Sequence, residues 1–84
     1  MPADDLTDLD REILAFEEGW ATHAGAKEPA LRERFDLSLA GYHHLLNRLI
    51  DRPAAEQHAP RLVRRLRRLR AARQEERATR RVDL

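Results

Sequence analysis

The sequence predicts an all-α fold: a small four-helix domain containing a helix-turn-helix and ending in a long basic helix. Three observations carry this reading. Apolar residues recur at three- and four-residue steps over several segments. A hydrophobic fraction of 42% with only 5% aromatics and three glycines suits short helices cored by leucine and alanine, and argues against a β-sandwich. Ten arginines and no lysine fall between Arg61 and Arg81, with Leu62, Leu66 and Leu69 among them at helical spacing.

The first helix is expected over about 8–24. Thr7 suits the N-cap, with Asp10 three positions on as the acid of a capping box. Leu9, Ile13, Phe16 and Trp20 share one face, Leu6 can staple its start, and Asp8, Asp10 and Glu12 favour the positive end of the helix dipole. Gly19 is tolerated at a cost of about 1 kcal/mol relative to alanine, and Gly25 is a good stop.

A shorter second helix is expected over 26–35, with Pro29 acceptable in its first turn and Leu31 and Phe35 as its apolar pair. Asp36, Leu37 and Ser38 interrupt, and Ser38 caps a third helix over 39–51. Tyr42, Leu45, Leu46, Leu49 and Ile50 form its buried face, leaving Ser38, Ala40, His43, His44, Asn47 and Arg48 outward. Pro53 and Pro60 bracket a polar, alanine-rich connector with room for one short turn. The fourth helix starts near Pro60 and fades after Arg77, with the last five or so residues frayed. There is no internal repeat. Eighty-four residues make one domain, with a tri-helical core over about 7–52 and the basic helix over about 60–78.

A net charge of +1 hides a dipole. Residues 1–24 carry seven acids against Arg11, residues 25–60 balance, and residues 61–84 carry ten bases against three acids. The absence of cysteine excludes disulfides, thiolate metal sites and cysteine catalysis. No run approaches the roughly 20 apolar residues of a membrane span. The acidic start is the reverse of a signal peptide, so the expected compartment is the cytoplasm. Adjacent His43 and His44 diverge by about 100° on a helix and cannot share a metal. His23 and His58 lack evident ligand partners, and no phosphate loop, HExxH run or nucleophile elbow is present. The expectation is a non-enzyme without cofactor or metal.

Residues 28–49 fit helix-turn-helix spacing, with Leu31, Phe35, Leu37, Tyr42 and Leu45 at the apolar offsets. Arg32 and Asp36 depart from the small residue and glycine usual at their positions, although Asp tolerates the left-handed conformation. The alternative is a helical hairpin within a plain bundle. As a DNA reader, the third helix would enter the major groove. Asn47 would then meet an adenine edge, Arg48 guanine or phosphate, and His43 and His44 phosphates or base acceptors. Ser38 would hold a phosphate at the helix start, while Arg61, Arg64, Arg65, Arg67 and Arg68 grip the backbone. Surface ion pairs contribute only about 0–1 kcal/mol each, too little to account for so many arginines, and arginine suits phosphate forks. A GC-rich genome would enrich arginine and alanine equally well. The leucine stripe has no Trp or Phe to anchor it in a membrane surface; it either docks on the core or pairs with a second copy as a homodimer.

The run Leu9 to Glu17, then Trp20 and Ala24 to Glu28, resembles a small actinobacterial family of uncharacterised proteins. So does Leu46-Asn47, then Leu49 to Pro53, followed by Leu62-Val63 and Arg65 to Arg70. The likeness covers nearly the whole chain. It implies a helix-turn-helix similar to sigma-factor region 4 and assigns no activity. His43, His23 and Ala21 stand where that pattern usually has aromatics. The expected function is a small DNA-binding transcriptional regulator, nucleoid-associated, engaging about five phosphates with a log–log salt slope near −4 to −5. The alternatives are an adaptor acting on RNA polymerase or another protein of the transcription machinery, and a binder of structured RNA.

Overall fold

A computed structural model describes residues 5–20 and 25–82 and contains no strand among them. Its helices are α1 (Asp8–Trp20), α2 (Lys27–Phe35), α3 (Leu39–Leu49), α4 (Pro53–His58) and α5 (Pro60–Val82). The all-α expectation holds, with five helices where four were expected. The expected continuation of α1 through 21–24, with Ala21 and His23, lies outside the described residues, as do 83–84.

The start of α1 is the capping box the sequence implies. Thr7 Oγ1 accepts from the Asp10 amide and Asp10 Oδ2 from the Thr7 amide, both at 3.0 Å. Arg52 donates to the same Asp10 oxygen at 2.9 Å, tying the α3–α4 junction to the start of α1. Burial pulls the Asp10 carboxyl upward, but the Thr7 and Arg52 hydrogen bonds outweigh it and hold its pKa below the usual range.

α1 and α2 both pack against α3, and α4 packs against α5. The core collects Ile13 and Leu14 from α1, Leu31 from α2, Tyr42, Leu46 and Leu49 from α3, Ile50 just beyond it, Ala55 from α4, and Leu62 and Val63 from α5. Phe16 sits against Trp20, Phe35 and Tyr42 at ring separations of 5.3, 5.6 and 5.7 Å. Leu9, expected on the buried face of α1, is 48% exposed, whereas Leu14 is buried. Leu14 faces the α4–α5 junction, beside Ala59 and Leu62, so a second neighbour rotates the buried face of α1.

The chain between α2 and α3 is three residues long. Asp36 takes the left-handed conformation at φ 55°, and its amide donates to the Arg32 carbonyl at 3.0 Å. Ser38 caps α3, its Oγ accepting from the Gly41 amide at 3.1 Å. α3 ends at Leu49, and residues 50–51 form a turn.

The connector between the prolines is a helix, not a single turn. Pro53 opens α4 and Ala55 is wholly buried, which gives this short segment tertiary support. α5 starts at Pro60 as expected and runs past Arg77 to Val82. Arg80 pairs with Glu76 at 2.8 Å one turn back, and the Thr79 hydroxyl donates to the Glu75 carbonyl at 3.0 Å. The expected leucine stripe docks at its start: Leu62 is buried, Leu66 half-buried, and Leu69 48% exposed. All residues from 71 to 80 are exposed, so the last turns of α5 stand clear of the core.

Candidate nucleic-acid interface

Following the core-facing stripe of α5 along its axis locates the site. Leu62, Val63 and Leu66 hold its first turns against the core. The same face then continues through Arg70, Arg73 and Arg77, at helical steps of three and four. These three arginines, with Lys27 of α2 and His43 and Asn47 of α3, line an open groove of about 330 Å³. Arg70 reaches across to α3, donating to Asp51 Oδ1 at 2.6 Å and to the Asn47 carbonyl at 3.3 Å. Its hydrogen bond holds the Asp51 carboxyl below the usual range. Arg73 and Arg77 make no ion pair with any described residue.

Glu17 organises the inner wall. Its Oε1 accepts from the Tyr42 hydroxyl at 2.7 Å and from Lys27 Nζ at 2.8 Å, joining α1, α2 and α3 at one oxygen. Lys27 also lies 5.1 Å from the centre of the Tyr42 ring. Burial first, then the Glu17 hydrogen bond, pushes the Tyr42 phenol far above its ordinary pKa, so it stays a donor.

His43 is half-buried beside this cluster. Burial first, and then the Lys27 and Arg73 cations, lower its pKa against the opposing pull of Glu17. Its ring is therefore neutral at pH 7. A depressed folded pKa gives stability that is complete above the unfolded value of about 6.5 and is lost as pH falls through the folded value. The melting temperature is expected to fall as pH drops from about 7.5 to 5, before most carboxylates titrate. The His43→Gln variant should flatten that decline in a calorimetric series, and an undiminished slope would contradict the assignment.

Of the residues the sequence places on the reading face, His44, Asn47 and Arg48 are exposed on α3. Asn47 borders the α5 groove, while Arg48 borders a shallow cleft toward α1 that also holds Leu9 and Arg52. Ser38 is differently placed from its expected phosphate role. Its Oγ is taken by the Gly41 amide, and the Leu39 amide donates to Glu28 Oε2 at 2.9 Å. A carboxylate already occupies the anion position at the start of α3.

The expected phosphate arginines divide. Arg67 is structural: its Nε donates to the Ile50 carbonyl at 2.7 Å and its guanidinium to Glu56 at 2.8 Å, clamping the end of α3 to α4 and α5. Arg64 pairs with the same carboxylate at 3.1 Å. Arg61, Arg65 and Arg68 are exposed and make no ion pair with any described residue, but they project from the side of α5 away from its buried stripe. The sequence reading does not single out Lys27, Arg70, Arg73 and Arg77, the cations that line the groove. The last three were readable as the continuation of the leucine stripe; Lys27 carried no such signal.

Among the described residues, no cluster of three or more His, Asp or Glu could hold a metal ion, and no helix is long and apolar enough to cross a membrane. No curated protein and no solved structure matches the chain. A protein-family model does match, over residues 5–78, spanning all five helices apart from the last turn of α5. The chain therefore belongs to the family described as Protein of unknown function (DUF3263).

Proposed function

We propose that the protein binds duplex DNA, with α3 in the major groove and the cations of the second half of α5 on adjoining phosphates, and that it acts as a small transcriptional regulator. One observation carries the reading: Arg70, Arg73 and Arg77 line the same groove as His43 and Asn47 of α3. A helix offering polar side chains and a neighbouring row of guanidinium groups thus share one side of the molecule. The α2–turn–α3 unit supports it, with a three-residue turn and an exposed α3 ridge of His44, Asn47 and Arg48. The α3 helix is about 16 Å long at 1.5 Å per residue, and a major groove about 12 Å wide admits such a helix.

In this arrangement Asn47 and Arg48 read base edges, the neutral His43 ring and the exposed His44 side chain supply further polar contacts, and Arg73 and Arg77 anchor the backbone beside Lys27. A helix-turn-helix used in this way suits action beside RNA polymerase at the nucleoid, and we include both in the proposal.

The test is a titration of genomic duplex fragments at several salt concentrations, with the retained pool sequenced. Engaging about four phosphates predicts a log–log slope of roughly −3 to −4. The Asn47→Ala variant should relax sequence choice by about 1–3 kcal/mol at one position while leaving the salt slope unchanged. A flat salt response would remove the DNA reading. Equal affinity for heparin and for every duplex would leave only a non-specific polyanion binder.

A further inference from the structure

The groove leaves one cationic surface unused. Arg61, Arg65 and Arg68 stand on exposed positions of α5, four and three residues apart, and so share a face. At 3.6 residues per turn that face is centred about 140° around the helix from Leu62, Val63 and Leu66, the stripe that leads into the groove arginines, with Arg65 its member nearest the stripe. Arg64 adds to its edge, 63% exposed although paired with Glu56. The acids nearby are few: Glu18 borders the same shallow cleft as Arg61, Glu56 is engaged by Arg64 and Arg67, and Glu75 comes two turns beyond Arg68. α5 therefore carries cations on two separate faces, one shared with α3 and one turned toward solvent, with Arg61 at its α1 end.

We infer that this outer face binds the phosphates of a second DNA duplex, so that one molecule bridges two duplexes, or two segments of one, across α5. The inference rests on the DNA reading of the groove. Charge complementarity argues for the occupant: three guanidinium groups without acidic partners among the described residues, rising about 10 Å along the helix, match a closely spaced row of phosphates. Exposed aromatics, which single strands need for stacking, are missing between Arg61 and Arg68, and a duplex backbone asks for none.

The experiment immobilises one duplex, adds the protein, and measures capture of a second, fluorescent duplex of the same sequence. Alongside it, affinity for a single duplex in solution is measured at sub-stoichiometric DNA. The wild-type chain should capture the second duplex. The triple variant Arg61→Gln, Arg65→Gln, Arg68→Gln, with its helical circular dichroism unchanged, should keep single-duplex affinity within about threefold and lose at least about tenfold of the capture. Three results would overturn the bridge. The triple variant could capture as well as wild type, the wild type could bind one duplex but capture none, or the variant could lose single-duplex binding in parallel, making both faces one site. Failure of the wild type to bind any duplex would instead sink the DNA reading and the bridge with it.

Discussion

Replacing Arg73 and Arg77 together by alanine is expected to weaken binding to a DNA duplex by about 30- to 100-fold near 50 mM salt. The log–log salt slope should become shallower by about two. Both arginines extend the core-facing stripe of α5 beyond the point where the core ends, and neither has an acidic partner among the described residues. Each therefore offers its full charge to a ligand, unlike Arg70, which already holds Asp51. Both also lie where α5 is exposed on all sides, and alanine is the better helix former, so the fold should be unaffected. Arg67→Ala is the contrasting case, because it removes the Ile50 and Glu56 contacts and should appear chiefly as lost stability. Equal affinities for the double variant and the wild type would place the polyanion elsewhere.

Glu17→Ala is expected to cost about 2–4 kcal/mol of stability, read from urea unfolding. The Glu17 side chain is 13% exposed, and one of its oxygens accepts from both Tyr42 and Lys27. Its removal leaves the hydroxyl of a fully buried tyrosine and a lysine ammonium that is only 18% exposed without their acceptor. Breaking such a group costs more than the group contributes against apolar replacements. The combined change Glu17→Leu, Lys27→Met and Tyr42→Phe should therefore regain most of the loss. A cost below about 1 kcal/mol for Glu17→Ala would show that the cluster does not tie the first three helices together.

The local chemistry of the chain was legible because it is written in neighbouring residues. Thr7 with Asp10, Asp36 in its left-handed turn and Ser38 before α3 all satisfy backbone groups within a few positions. Long-range packing was not. Nothing near Leu14 announces that α4 and α5 cover it, and nothing near Ala55 says that so small a side chain completes the core and makes the connector helical. The arginines show the same divide. Composition marks α5 as cationic, but only the fold separates Arg67, which clamps Ile50, from Arg73, which faces the groove. The stripe of Leu62, Val63 and Leu66 held that information, since its continuation is Arg70, Arg73 and Arg77.

If α3 and the second half of α5 grip one polyanion between them, backbone amide NMR during addition of a short DNA duplex reads the grip residue by residue. Shifts should saturate together at His43, His44, Asn47 and Arg48 on α3 and at Arg70, Arg73 and Arg77 on α5, with α1 little changed apart from the region of Glu17. Shifts confined to α1, or to α5 with α3 silent, would rule out a shared grip.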